Sequence, residues 1–94
     1  MPDNTAVSHD PARGRFEIRT DAGTALLTYL RRDGVVEIVH TEVPDALEGK
    51  GYGAALAEAA LGWARQEGAT VVPSCPFVSA YITRHPAYAD LVEG

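Results

Sequence analysis

Cysteine, lysine and positive charge are all scarce in this chain. Among 94 residues there is a single cysteine, Cys75, so no disulfide can form within the chain. A reducing, cytoplasmic compartment is therefore expected. Eight lysines and arginines stand against thirteen acidic residues, for a net charge of −5. That balance argues against a general nucleic-acid binder. No apolar run approaches the ~18 residues that cross a membrane as a helix, so no membrane association is expected. Residues 1–12 are polar and lack the basic start and apolar stretch of a signal peptide. There is no internal repeat and no low-complexity tract. This length allows one domain with a thin core.

What is present falls into a clear order. Residues 1–13 read as a flexible tail, and residues 14–94 as one domain. Arg15 to Arg19 alternates polar and apolar residues, as a half-buried strand does. Asp21-Ala22-Gly23 marks a turn, and Thr24 to Leu30 reads as a second strand. After the tight-turn signal Asp33-Gly34, Val35 to Val43 is the longest β-branched run and reads as a central strand. Pro44 ends it, having no N–H to donate. Gly51 to Glu67 reads as a helix whose buried face carries Leu56, Ala59, Ala60, Trp63 and Ala64. Gly68 stops it. Thr70 to Pro73 reads as a fourth strand, parallel to the third because a helix crosses between them. Pro76 suits the first turn of a second helix, Phe77 to Arg84, and Ala87 to Val92 reads as a short helical turn. The expected fold is α/β: an antiparallel meander followed by β-α-β-α.

The densest chemical signal is Glu48-Gly49-Lys50-Gly51-Tyr52-Gly53, directly before the alanine-rich helix. The chain's only lysine lies among three glycines there. Glycines permit a sharp turn close to a ligand, and a helix start presents unpaired N–H groups, so the stretch suits an anion such as phosphate. A Walker loop is excluded because G-x-x-x-x-G-K-[ST] does not occur. Gly49, Gly51 and Ala54 match a dinucleotide fingerprint. That fingerprint needs a parallel α/β half-domain, and the strands before it read as hairpins. Cys75 lies after a strand and before a helix, where a thiol gains thiolate character. It reads as a nucleophile or as a small buried apolar residue. His40 and Glu42 are two apart on one strand and face the same side unless a bulge intervenes. They are candidate general bases or a solvated cross-strand pair. His85 reads as a cap on the second helix, and Tyr81 and Tyr88 as packing. His40, Glu42, Cys75 and His85 have no recognised metal-ligand spacing, so no metal is expected.

The glycine stretch resembles the motif [QR]-x-x-G-x-[GA] of the GNAT acetyltransferases, departing from it at Glu48, where the family usually has Gln or Arg. His40-Thr41-Glu42-Val43-Pro44, Val72-Pro73-Ser74-Cys75-Pro76-Phe77-Val78, Tyr81, Arg84-His85-Pro86 and Tyr88-Ala89-Asp90-Leu91-Val92 resemble a subgroup of minimal, single-domain members. The resemblance spans residues 15 to 92. It implies a truncated GNAT fold, acetyl-CoA (coenzyme A) binding and acetyl transfer to an amine, small molecule or protein. It implies that backbone amides of Gly51, Gly53 and their neighbours Glu48, Gly49, Tyr52 and Ala54 hold the pyrophosphate. Lys50 would flank it and Arg84 would reach the phosphates. The pantetheine arm would lie beside Glu42 and Val43, with the thioester near Cys75. Transfer would run through Cys75, or directly to an amine aided by Glu42 or His40. The missing acceptor walls fit a protein substrate or a partner subunit, such as a second copy. The alternative implied by Glu48 and the open acceptor side is a CoA-binding module without transferase activity, and a purely structural domain is the plainest reading.

Overall fold

A computed structural model describes residues 7–92. Its elements are β1 (Ser8–Asp10), β2 (Arg15–Thr20), β3 (Gly23–Arg32), β4 (Val35–Glu42), α1 (Tyr52–Gln66), β5 (Thr70–Pro73) and α2 (Pro76–Arg84). Short 3₁₀ turns occupy Asp45–Leu47 and Pro86–Leu91. One five-stranded sheet has the order β1-β2-β3-β4-β5. The first three pairings are antiparallel and β4 pairs with β5 in parallel. The expected meander and crossover are thus present. No helix among the described residues is long and apolar enough to cross a membrane.

Both helices cover the same face of the sheet, since α1 and α2 touch each other and β4 and β5 lie beneath. The alternation of each strand sorts its side chains accordingly. Phe16, Ile18, Ala25, Leu27, Tyr29, Val36, Ile38 and Val71 point at the helices, where Leu56, Ala57, Ala60, Leu61 and Ala64 meet them. The alanines of α1 let it sit close to the sheet. The other face is open. There, Glu17 is held between Arg15 at 2.8 Å and Arg19 at 3.1 Å. Polar and charged side chains on that face are consistent with an antiparallel sheet wetted on one side.

The structure departs from the sequence reading at the N-terminus. Ser8–Asp10, expected within the tail, pairs with Arg15–Glu17 as an edge strand. The expectation for residues 1–6 lies outside the described residues. What holds β1 is His9. Its ring stacks on Phe16 with centroids 4.1 Å apart and meets the edge of Trp63 at 4.7 Å. It also hydrogen-bonds the Tyr29 hydroxyl. Burial lowers the His9 pKa below 6.5, against the opposing pull of Asp10 and Glu67. Between that lowered value and the unconstrained 6.5, the unfolded chain binds more proton than the folded one. Stability contributed by His9 is therefore complete above this window and is lost as pH falls through it. Urea unfolding followed from about pH 7.5 to about pH 5 is expected to show falling stability, and His9→Phe a shallower slope. Identical slopes would remove His9 from the account.

β4 contains the irregularity that matters most for the site. Thr28 pairs with His40, but Tyr29 pairs with Ile38, so Val39 is an extra residue. Such a bulge reverses the alternation beyond it. Val36 and Ile38 face the helices. After the bulge Thr41 does so, opposite fully buried Leu27. His40 and Glu42 take the open face, opposite Thr28 and Leu26.

Candidate functional site

β4 and β5 pair only from Val35 and Thr70 to Ile38 and Pro73. Beyond that point β4 continues to Glu42, while the chain after β5 turns away. Ser74 N–H bonds Val72 C=O at 3.0 Å, and Cys75 N–H bonds Ile38 C=O at 3.0 Å. α2 then begins with Pro76, whose missing N–H suits a first helical position. The two strands thus open into a gap. Beside the unpaired end of β4 lies a cleft of about 840 Å³, lined by Thr41 to Val43, the glycine turn and one face of α2.

The glycine turn is shaped by positive backbone angles. Gly49 has φ 79° and Gly51, the N-cap of α1, has φ 86°. These are left-handed conformations that side chains disfavour. Gly51 offers no side chain to cap α1. The first intrahelical bond runs from Ala55 N–H to Gly51 C=O at 3.0 Å. The amides of Tyr52, Gly53 and Ala54 are therefore left at the cleft with the positive end of the helix dipole. Gly53 is also packed under a ring: a Cβ there would come 2.8 Å from Phe77 Cζ.

Of the residues expected to contact cofactor, Val43, Glu48, Gly49, Gly51, Tyr52, Gly53, Ala54 and Arg84 line this cleft. Lys50 is exposed and is not among the lining residues. Among the catalytic candidates, Glu42 lines the cleft and His40 does not. His40 Nε2 lies 3.7 Å from Glu42 Oε1, and both side chains are well exposed. Cys75 is 4% exposed and does not line the cleft. Its Sγ donates to Thr41 Oγ1 at 3.4 Å, and Thr41 is a lining residue. Glu37 accepts a 2.7 Å bond from Ser74 Oγ at the fork of the two strands.

Sequence reasoning did not place Thr41, Phe77, Tyr81 or His85 at the cleft, yet all four line it. Thr41 was hidden by the bulge, which is set between two strands. Tyr81 packs as expected, 8% exposed, and stacks on His85 with centroids 4.0 Å apart. Burial raises its pKa, with Glu58 and Tyr88 acting in the same direction, so the phenol stays protonated. His85 Nδ1 lies 2.8 Å from the Tyr81 carbonyl oxygen. A carbonyl only accepts, so Nδ1 carries the proton and His85 caps the end of α2 as expected. No group of three metal-ligating side chains comes together among the described residues.

Residues 15–91 match the family described as GCN5-related N-acetyl-transferase. Protein NATD1 of Mus musculus is 33% identical over 84 residues, covering 85% of this chain and 76% of that protein. Protein NATD1 of Homo sapiens is 33% identical over the same length, covering 85% and 74%. The NMR solution structure of a GCN5-like protein from Staphylococcus aureus superimposes with a TM-score of 0.75 at 27% identity, covering 98% of this chain and 91% of that one. The fold and the family implied by the glycine stretch are both found, and the chain belongs to the GCN5-related N-acetyltransferase family as an acyltransferase.

Proposed function

We propose that this chain binds acetyl-CoA in the cleft and transfers the acetyl group to an amine, with Cys75 as the acceptor on the protein. The observation that carries the reading is the continuity of the cleft. It runs from the uncapped amides of α1 to Thr41, Glu42 and Val43, on the stretch of β4 and its exit that lies beyond the last pairing with β5. The residues present fit the group. A cradle made by Gly49 and Gly51 leaves room for a pyrophosphate against the amides of Tyr52, Gly53 and Ala54. Arg84 adds the cleft's permanent cation, whereas Glu48 and Glu42 add negative charge. Phosphate binding here therefore rests on backbone N–H groups and the helix dipole more than on side-chain charge. β4 beyond Ile38 has no strand partner on the β5 side, so its backbone is open to the amides of a pantetheine arm.

Bound acetyl-CoA supplies an activated acyl carbonyl. Cys75 Sγ would bond the acyl carbon as the C–S bond to CoA breaks, the thiol proton leaving with CoA as its free thiol; a neutral amine would then take the acetyl group from Sγ, and the proton that the amine loses would return to Sγ. Thr41, a lining residue, accepts the bond from Sγ and directs the thiol at β4. Direct attack by the amine is the competing route, and Glu42 is then the group at the cleft able to receive its proton. The open face of the sheet beside Glu42 leaves space for a protein-sized acceptor or a second subunit. The test is an acetyl-transfer assay with a panel of small amines and lysine peptides, read by mass. Acetylated product that requires both protein and acetyl-CoA supports the proposal. Tight binding with no acceptor found across the panel would count against transfer to amines.

A further inference from the structure

Cys75 is tied to β4 twice. Its N–H bonds Ile38 C=O at 3.0 Å, and its S–H bonds Thr41 Oγ1 at 3.4 Å. It occupies the N-cap of α2, yet its side chain makes no capping bond to the helix. Pro76 removes the nearest helix N–H. Among the described residues, Thr41 is therefore the group that fixes the direction of the thiol. Thr41 faces Cys75 only because Val39 is an extra residue in β4. Without that bulge His40 would take the helix side and Thr41 the open face.

We propose that Thr41 is the positioning residue for Cys75. This rests on the reading of Cys75 as the acetyl acceptor on the protein. A hydroxyl is suited to the task because it both accepts and donates. It accepts the S–H bond of the neutral thiol. After rotation about its C–O bond it donates to the thiolate. The same group thus holds Sγ toward the fork in both states, and it stabilises the charged one. Thr41 lines the cleft and Cys75 does not, so the Thr41 hydroxyl is the contact that links the thiol to the cleft.

The test uses alkylation by iodoacetamide followed by intact mass. Cys75 is the only cysteine, so the adduct reports this thiol alone. Thr41→Val keeps the size and branching of the side chain and deletes the hydroxyl. Thr41→Ser keeps the hydroxyl and deletes a methyl. Thr41→Val is expected to alkylate about tenfold more slowly at neutral pH, and Thr41→Ser within about twofold of the parent. In the transfer assay Thr41→Val is expected to lower kcat by a larger factor than it changes the KM for acetyl-CoA, since Thr41 is one of many residues lining the cleft. Parent-like alkylation in Thr41→Val, or equal slowing in Thr41→Ser, would overturn the proposal. The alkylation result is independent of transfer. Full turnover in Cys75→Ala would remove the covalent route, whereas slow alkylation in Thr41→Val would still establish the coupling of Thr41 to the thiol.

Discussion

Replacing Cys75 with alanine is expected to lower acetyl transfer by about a hundredfold or more, with acetyl-CoA affinity within about twofold of the parent. The affinity holds because Cys75 is not part of the cleft lining, and the amides of Tyr52, Gly53 and Ala54 are untouched. The fold holds because the change removes one buried sulfur from a site 4% exposed, at a cost of about 1 kcal/mol. Cys75→Ser is the sharper companion. Its hydroxyl can still bond Thr41, so it preserves the geometry and removes the nucleophilicity of sulfur. Both variants are expected to be inactive and to titrate normally with acetyl-CoA. Full turnover in Cys75→Ala would mean direct transfer. Attention would then pass to Glu42, the one of the paired candidates that lines the cleft.

The second large effect is expected at Gly51. Its φ of 86° and ψ of 9° place it in the left-handed region at the N-cap of α1. A β-branched residue there is strained by more than the ~1–2 kcal/mol that an ordinary L-residue meets. The chain can relieve that strain only by moving the glycine turn relative to α1, which re-aims the first helix amides. Gly51→Val is therefore expected to weaken acetyl-CoA binding about a hundredfold and to lower the thermal midpoint by several degrees. Calorimetric titration and a melting curve read both. Unchanged affinity in a folded Gly51→Val protein would show that the turn does not hold the phosphates.

Much of the fold was legible because its elements are locally consistent. β2, β3 and β4 alternate along most of their length, α1 carries its alanine face at helical spacing, and Pro76 and Gly51 mark helix starts. The glycine turn was legible for the same reason, since its conformation demands residues without a Cβ. β1 was not legible. Ser8-His9-Asp10 is polar, and its burial depends on Phe16, Tyr29 and Trp63, which only the folded chain brings together. The Val39 bulge was not legible either, because register belongs to a pair of strands. That single extra residue turns Thr41 toward Cys75 and sends His40 to the open face. Lys50 illustrates the limit of composition. It is the chain's only lysine and sits in the glycine turn, but it is not among the residues that line the cleft.

Under the proposed function, a backbone cradle would let an acidic chain hold an anionic ligand. Net charge of −5 repels a polyphosphate at long range, whereas the proposed contact would be set within the first helix turn. Binding should accordingly tighten on raising salt from low to moderate levels, where the general repulsion is screened.

The most direct measurement is calorimetric titration of the protein with acetyl-CoA and with CoA. Saturable one-to-one binding of both, weakened in Gly51→Val and retained in Cys75→Ala, is the predicted result. No heat and no shift in thermal midpoint at saturating acetyl-CoA would contradict the assignment of the cleft.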